Sequence, residues 1–313
     1  MVKIGVVGAG KWGINHLRIF SELDCELVGL ADSDNEKREI ANKYKIKFFT
    51  NYKELLPLVD AVSVVVPTNL HFGVVKECLL AGKHVLVEKP ITLNSNEAKK
   101  LIELAKKKNL ILAVGYLFRF NAAVLALKGE LKKIGDIQYI TARYIHSNKP
   151  PRKDCGVVFN FAIHLIDILN FILDEKPKRV FCKKLNYLSE EREDCAFIIL
   201  DYGKFIANME VSWFHPLKKR DMWIIGSKEK VYIDLFEQII KKYPIEVSYD
   251  KVSLLKEYEV KVNKNEPLEE ELKKFCDCIK NNMITNVGEE ELITTKICEL
   301  CLKSAKENKE LEL

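Results

Sequence analysis

The sequence predicts an α/β fold in two parts: a Rossmann domain with a doubly wound parallel sheet over residues 1–120, and an α+β domain with a predominantly antiparallel open sheet over residues 121–313. In the first part, short apolar runs rich in β-branched residues alternate with segments of helical spacing, as in βαβ units. A glycine-rich turn follows the first run. After residue 120 the pattern changes to short strands joined by turns. The length suits two domains with a core each, and we expect the last helix to pack back on the first domain.

The turn after the first strand has the spacing of a dinucleotide-binding loop. Gly8, Gly10 and Gly13 separate the strand from a helix that contains His16 and Leu17. The first glycine permits a tight turn, the second lets the backbone approach a pyrophosphate, and the third allows close packing of helix and strand. The pyrophosphate would bind the free N–H groups at the start of the helix. Lys11 and Trp12 lie inside this loop, and we expect Trp12 to cover the pyrophosphate.

An acidic residue follows the second strand, as the dinucleotide fingerprint requires. Asp32 lies about 20 residues beyond the glycines, and Ser33 continues the same loop. The carboxylate would accept hydrogen bonds from the adenosine ribose and would repel a 2′-phosphate, which favours NAD over NADP. Lys37 and Arg38 weaken this preference, because they could accommodate a phosphate. The alternative is a glycine-rich turn that binds nothing.

The other loops of the first domain should line the same crevice. The strand over residues 61–66 leads into a loop of Pro67, Thr68, Asn69, Leu70 and His71, and the strand over 84–87 leads into Glu88, Lys89 and Pro90. Ligands of such sheets bind beyond the carboxyl ends of the strands. We therefore expect these two loops, the glycine turn and Asp32 to converge.

The second domain is predicted from its strand and helix patterns. Its predicted strands cover residues 137–145, 180–185, 195–201, 205–214, 222–225, 231–235, 245–249 and 255–260, and its helices cover 122–133, 160–169, 268–281 and 289–307. One face of the sheet would lack helices. Phe205, Trp213, Trp223 and Ile225 are predicted to cover that face, and an exposed apolar sheet face indicates an interface. We expect a homodimer or homotetramer through it.

Composition excludes several classes of protein. The net charge is +5, with lysines and glutamates interspersed, which does not suit nucleic-acid binding. The first strand begins near Met1 and no apolar run spans a membrane, so a cytoplasmic protein is expected. The nine cysteines are predicted to be reduced thiols. Cys276-x-Cys278 and Cys298-x-x-Cys301 could form a zinc site, but their helical apolar spacing favours core packing, and no metal is predicted.

Several motifs together resemble the Gfo/Idh/MocA family of NAD(P)-dependent sugar and cyclitol oxidoreductases. These are the glycine loop, Glu88-Lys89-Pro90, Arg119-Phe120-Asn121 and the helix that carries His164-x-x-Asp167. The resemblance covers essentially the whole chain. It implies an enzyme that oxidises a secondary alcohol by hydride transfer to nicotinamide C4.

The resemblance also implies roles for individual side chains. Lys89 would stabilise the developing alkoxide or relay a proton, and a cis bond before Pro90 would aim it inward. His164 would act as the general base. Asp167 would either orient the imidazole or pair elsewhere. Thr68, Asn69 and His71 resemble the loop along the nicotinamide half of the cofactor.

Asn160 departs from the pattern of relatives that act on polyols, which carry aspartate four residues before the histidine. Together with His164 and the Pro150-Pro151-Arg152 loop, Asn160 resembles the branch that oxidises UDP-N-acetylglucosamine or its uronic acid at C3. Such a substrate carries a diphosphate, and cations should bind it. The predicted substrate-binding residues are Lys89, Arg119, Asn121, Arg143, Arg152, Asn160 and His164.

Two other functions stay open at this point. A dehydrogenase of a free sugar or myo-inositol would share the fold and the cofactor, but an aspartate at position 160 would be expected. A non-catalytic NAD-binding regulatory protein would not need Lys89 and His164.

Overall fold

The computed structural model describes residues 1–147, 152–173, 175–283 and 288–313. These residues form two compact units. The first contains Met1–Leu117 and Leu268–Thr295, and the second contains Phe118–Pro267 and Lys296–Leu313. Pro150 and Pro151 of the predicted substrate loop lie outside the described residues.

The strands alternate with helices in the first unit and follow one another in the second. The strands are β1 Lys3–Val7, β2 Glu26–Ala31, β3 Lys47–Phe49, β4 Ala61–Val64, β5 His84–Glu88, β6 Leu112–Gly115, β7 Ile137–Ile145, β8 Arg179–Leu185, β9 Cys195–Asp201, β10 Ile206–Ser212, β11 Lys219–Gly226, β12 Lys230–Asp234, β13 Ile239–Tyr243, β14 Ile245–Val247, β15 Val252–Leu254, β16 Tyr258–Val260 and β17 Leu311–Glu312. The α-helices are α1 Lys11–Glu22, α2 Arg38–Lys43, α3 Tyr52–Leu55, α4 Thr68–Leu80, α5 Ser95–Lys108, α6 Ala122–Glu130, α7 Ile163–Leu173, α8 Pro267–Lys280 and α9 Glu289–Glu307.

The first unit is a doubly wound parallel sheet, as the sequence predicts. The strand order is β3-β2-β1-β4-β5-β6, so the direction of winding reverses between β1 and β4. The carboxyl ends of β1, β2, β4 and β5 lie at one edge, where such sheets bind ligands. The loop predicted after β4 is shorter than expected, because α4 already begins at Thr68, directly after Pro67.

The core of the first unit combines residues from distant parts of the sequence. Ile4 and Leu17 pack in one buried cluster with Leu272 and Phe275 of α8. Helix α8 is amphipathic and buries its apolar side in this cluster.

The second unit contains a mostly antiparallel sheet, which confirms the predicted fold class. The order within the described residues is β16-β13-β12-β11-β7-β10-β9-β8-β17. Strands β7 and β10 run parallel, whereas the other neighbours are antiparallel. The sequence interpretation missed β13, β15 and β17, and the predicted strand over 255–260 is confined to β16.

The two faces of this sheet differ in burial. On β7, Ile140, Ala142 and Tyr144 are buried on the inner face, which packs against α7, while Tyr139 and Arg143 point to the outer face. The outer face exposes further apolar side chains, among them Phe197 and Ile206.

Two of the four residues predicted to cover the exposed face are buried instead. Phe205 stacks on Tyr202, and Trp213 packs edge-on against Phe161. The prediction was wrong for both because Phe205 precedes β10 and Trp213 follows it, so neither takes part in the strand's alternation. Trp223 and Ile225 are half-buried, and their register pairs them with outer-face residues of β7.

None of the helices formed by the described residues combines the length and apolar character that crossing a bilayer requires.

Candidate functional site

The glycine turn has the geometry that pyrophosphate binding needs. Gly8 has a φ of +103°, and its N–H donates to the carbonyl oxygen of Ala31 at 2.8 Å. A Cβ on Gly13 would lie 2.0 Å from the Gly8 carbonyl oxygen, whereas a Cβ on Gly10 would have no atom within 4 Å. The protein's own backbone thus requires the first and third glycines. Gly10 faces open space at the start of α1, as a backbone that approaches a pyrophosphate should.

Asp32 is tied to this turn. Its carboxylate accepts hydrogen bonds from the N–H groups of Ala9 at 2.6 Å and Asp34 at 2.9 Å. The Lys37 ammonium lies 3.5 Å from the Asp34 carboxylate, and the Arg38 guanidinium lies over the Phe48 ring at 4.8 Å. Lys37 therefore has an anionic partner, whereas the contact with Phe48 leaves the charge of Arg38 unneutralised. Three predicted cofactor residues, Lys11, Trp12 and Ser33, are exposed around this turn.

His71 connects the loops after β4 and β5. Its ring nitrogens lie 2.7 Å from the Pro90 carbonyl oxygen and 3.0 Å from that of Val66. Thr68 is buried in the first turn of α4, and Pro67 and Asn69 are exposed beside it. The predicted convergence of these loops is confirmed within the first unit.

Lys89 is 5% exposed, and the predicted cis bond to Pro90 is confirmed. The Glu88 carboxylate accepts a hydrogen bond from the Lys89 backbone N–H at 3.1 Å. It also lies 3.3 Å from Nε2 of His16. The other ring nitrogen of His16, Nδ1, lies 2.8 Å from the Ser63 hydroxyl. Burial opposes ionisation of Glu88. The hydrogen bond with His16 and the positive charges of His16 and Lys89 nevertheless hold the Glu88 pKa below its usual range. Glu88 is thus a fixed anion next to Lys89, oriented by a histidine that the sequence interpretation missed.

His164 packs against aromatic side chains in the second unit. It is 5% exposed; its ring stacks on Tyr144 at 5.7 Å and meets the Phe118 ring edge-on at 5.1 Å. Asn160 is half-buried in a π-helical turn, Val158–Ala162, that precedes α7. The sequence predicts an uninterrupted helix here, and the difference matters because π-turns often occur at functional sites.

Glu193 holds the start of the π-turn. Its side chain accepts the Val158 N–H at 3.0 Å, and its backbone carbonyl accepts the Val157 N–H at 2.9 Å. Burial raises the pKa of Glu193. The segment that carries Asn160 therefore depends on a buried carboxyl group from the loop before β9.

Each predicted substrate arginine forms an ion pair with an aspartate. Nη2 of Arg119 lies 2.6 Å from Asp167, Nη2 of Arg143 lies 2.7 Å from Asp221, and Arg152 pairs with Asp154. The Arg119 pair uses Nε as well, so Asp167 pairs elsewhere, which was one of its two predicted roles.

Arg143 lies on the outer face of the sheet, whereas its neighbour Tyr144 points to the inner face that carries His164. Consecutive strand residues point to opposite faces. Arg143 therefore lies on the opposite sheet face from the Tyr144–His164 pair, and this placement gives no support to its predicted contact with substrate.

Asn121 caps a helix. Its side-chain oxygen accepts the N–H groups of Ala123 and Val124, and its amide donates to the Leu235 carbonyl oxygen at 3.0 Å. Both lone-pair positions of the oxygen are thereby used. These bonds give Asn121 a structural role at the start of α6.

The four cysteines with metal-like spacing are buried. Burial and the neighbouring Cys182 thiol raise the pKa of Cys301, and the neighbouring Cys25 thiol and burial raise that of Cys276. Within the residues described above, no group of three or more histidine, cysteine or acidic side chains is arranged to hold a metal ion.

Comparison with known proteins matches both parts of the chain to one family. Residues 2–116 match the model of the oxidoreductase family with an NAD-binding Rossmann fold, and residues 130–232 match the GFO/IDH/MocA C-terminal domain. UDP-N-acetylglucosamine 3-dehydrogenase of Acidithiobacillus ferrooxidans is 29% identical over 244 residues, which cover 77% of each chain. Myo-inositol 2-dehydrogenase of Thermotoga maritima is 31% identical over 201 residues, covering 61% of this chain and 60% of that protein.

Solved structures share the fold over nearly the full length. The structure of the A. ferrooxidans enzyme GnnA has a TM-score of 0.87 at 24% identity and covers 98% of both chains. Scyllo-inositol dehydrogenase from Lactobacillus casei, with bound NAD(H) and scyllo-inositol, has a TM-score of 0.80 at 19% identity, covering 100% of this chain and 99% of that one. At these identities the two structures establish a common fold.

Proposed function

Since the chain belongs to the Gfo/Idh/MocA family of NAD-binding oxidoreductases, we propose that it oxidises a secondary alcohol of a UDP-linked N-acetylated amino sugar. The substrate is UDP-N-acetylglucosamine or its uronate, and C3 is the carbon oxidised. The observation that carries the proposal is Asn160 in a π-turn ahead of His164, at a position where an inositol dehydrogenase would be expected to carry aspartate. The 29% identity to UDP-N-acetylglucosamine 3-dehydrogenase over 77% of both chains supports it.

The first unit would bind the cofactor. Gly8, Gly10 and Gly13 with the start of α1 would hold the pyrophosphate, and Asp32 would bind the adenosine ribose. Thr68 and His71 would line the nicotinamide side. When bound, NAD supplies the ring that accepts the hydride.

Side chains of the protein would stabilise the negative charge on the substrate oxygen and accept the hydroxyl proton. Lys89 would donate a hydrogen bond to the substrate oxygen and stabilise the negative charge that develops there. The anionic Glu88 next to it favours the ammonium form. A nitrogen of His164 would accept the hydroxyl proton. Asn160 would hydrogen-bond a neighbouring sugar hydroxyl, since its amide can both donate and accept.

Turnover by the purified chain with NAD tests the proposal. UDP-N-acetylglucosamine, its uronate, UDP-glucose, N-acetylglucosamine and myo-inositol are each supplied, and NADH formation is followed by absorbance. We expect NADH from a UDP-linked amino sugar and little from the free compounds. Turnover confined to myo-inositol or a free sugar would replace the proposal with the alternative that the Thermotoga relative suggests. Cofactor binding without turnover of any compound would favour a regulatory protein.

We also propose that the chain forms a homodimer or homotetramer through the outer face of its second sheet. Tyr139, Phe197 and Ile206 lie on that face and are exposed, and contiguous exposed apolar surface indicates an interface. The nine cysteines are thiols and not disulfides, which supports a reducing, cytoplasmic location.

A further inference from the structure

Arg220 is an arginine on the inner face of the second sheet, the face that also carries Tyr144. It pairs across the sheet with Tyr144, so its side chain lies on the inner face, the face that packs against α7. Its guanidinium lies over the Tyr144 ring at 4.6 Å and 5.6 Å from the Phe236 ring. The same Tyr144 ring stacks on His164. Arg220 is therefore close to the proposed base.

No described carboxylate forms an ion pair with Arg220. Arg119, Arg143 and Arg152 each hold an aspartate. Within the described part of the chain, Arg220 forms no ion pair, and its buried Nε has no hydrogen-bond partner. A buried donor without a partner costs free energy, and a bound anion would remove that cost.

A second cation lies beside the first. Nζ of Lys218 lies 3.8 Å from the centroid of the Phe236 ring, the ring that the Arg220 guanidinium also approaches. Lys218 and Phe236 are exposed, so the pair is open to solvent. The aromatic rings contact the guanidinium without neutralising it, which leaves its donors available for bidentate hydrogen bonds to an anion.

We propose that Arg220, assisted by Lys218, binds the diphosphate of the nucleotide-sugar substrate next to His164. This assignment deepens the proposed function and rests on it. Two cations match the two negative charges of a diphosphate, and an arginine fork matches phosphate oxygens. Arg220 thereby selects a nucleotide-linked sugar over a free one.

Binding of UDP to the full chain in the presence of NAD tests the assignment, with calorimetry as the measurement. UDP is used because it carries the diphosphate but neither the sugar nor a carboxylate. Arg220→Gln should weaken UDP binding by about 10- to 100-fold, as expected for the loss of hydrogen bonds to a charged group. Arg220→Lys keeps the charge but not the fork, and a smaller loss is expected. Lys219→Gln makes the same change in net charge at the adjacent position, which points to the other face, and should leave UDP affinity within about twofold.

The outcomes separate this assignment from the proposed function. Equal UDP affinity in Arg220→Gln and the wild type, or no UDP binding by the wild type, overturns the diphosphate site. If the wild type oxidises UDP-N-acetylglucosamine and Arg220→Gln does so with unchanged KM, the proposed function is supported and the proposed diphosphate site at Arg220 is overturned. Arg220-dependent UDP binding without turnover of any UDP-sugar supports the site and overturns the function. A thermal melt of each variant checks folding, and the lysine variant supplies the test if the glutamine variant does not fold.

Discussion

Lys89 and His164 differ in chemistry and belong to different units, so substitution can separate their contributions. We expect Lys89→Met and His164→Asn each to lower kcat by about 10²- to 10⁴-fold, because each removes a group that we propose transfers a proton or stabilises charge in the transition state. NAD affinity should change little in His164→Asn, since the glycine turn lies in the other unit. Steady-state kinetics and NAD titration measure both effects.

Lys100→Met is the matched control for Lys89→Met, because Lys100 is an exposed lysine on α5 of the same unit. It should retain wild-type kcat. Full activity in Lys89→Met or His164→Asn would remove that residue from the proposed chemistry.

Glu193 predicts a pH dependence of stability. Burial raises its pKa above the ordinary value of 4.5, so the folded state binds the proton more tightly than the unfolded chain does. Its stabilising contribution is full below about pH 4.5 and is lost as the pH rises through the raised pKa. Glu193→Gln keeps an oxygen for the Val158 N–H and cannot ionise. We expect it to be more stable than the wild type at neutral pH, where ionisation of the buried carboxyl group costs free energy.

Chemical denaturation at about pH 4.5 and about pH 7.5 measures this difference. The two proteins should be closer in stability at the lower pH, where the wild-type carboxyl group is largely protonated. A difference that is the same at both pH values would contradict the assignment of the effect to ionisation.

At the residue scale, the sequence predicts what spacing along the chain determines. Gly8, Gly10 and Asp32 follow a local pattern, and the structure places them together. The sequence alone does not show which strands pair or which face a residue takes, so it did not indicate that Arg220, and not Arg143, shares a sheet face with Tyr144. The sequence did contain one indication of an anion site, namely three consecutive cations at the start of β11: Lys218, Lys219 and Arg220.

At the scale of elements, the β1–α1 turn allows two glycines to be compared. Gly13→Ala would place a Cβ 2.0 Å from the Gly8 carbonyl oxygen, so we expect it to lower stability by about 2 kcal/mol or more and to abolish NAD binding. Gly10→Ala meets no protein atom and has a φ of −67° that alanine tolerates. It should keep wild-type stability and still lose NAD affinity.

Thermal unfolding and NAD titration of both variants check this pair. Gly10→Ala with unchanged NAD affinity would show that the space beside Gly10 is not the pyrophosphate site.

Elements with a strong apolar periodicity in the sequence are predicted well. Elements whose conformation depends on contacts with distant parts of the chain are not. The bounds of β7 and α9 agree with the prediction, because each has a clear apolar pattern. The π-turn before α7 is absent from the prediction because its apolar spacing resembles an α-helix, and the support that it receives from Glu193 is distant in sequence. The strand β13 was missed for a similar reason, since its pairing with β12 defines it.

At the scale of the whole molecule, the outer sheet face predicts the state of assembly. Ile206 lies across from Tyr139 on this face. Ile206→Lys would introduce a charge that burial at an interface makes unfavourable, so we expect it to shift the protein from an oligomer to a monomer. Light scattering coupled to size exclusion measures the mass.

Leu188→Lys is the control, because Leu188 is an exposed leucine in the turn between β8 and β9, outside the strands. It should keep the oligomer. A monomeric wild type, or an oligomer that Ile206→Lys leaves intact, would contradict the proposed interface.

The contribution of α8 to the core of the first unit has a consequence during synthesis. Leu272 and Phe275 complete a cluster that begins with Ile4 and Leu17, yet the ribosome makes them after more than 250 intervening residues. The nascent amino-terminal sheet is therefore left without part of its apolar cover until α8 has been made. The first unit therefore completes its core only after the intervening strands β7 to β16 of the second unit have been synthesised.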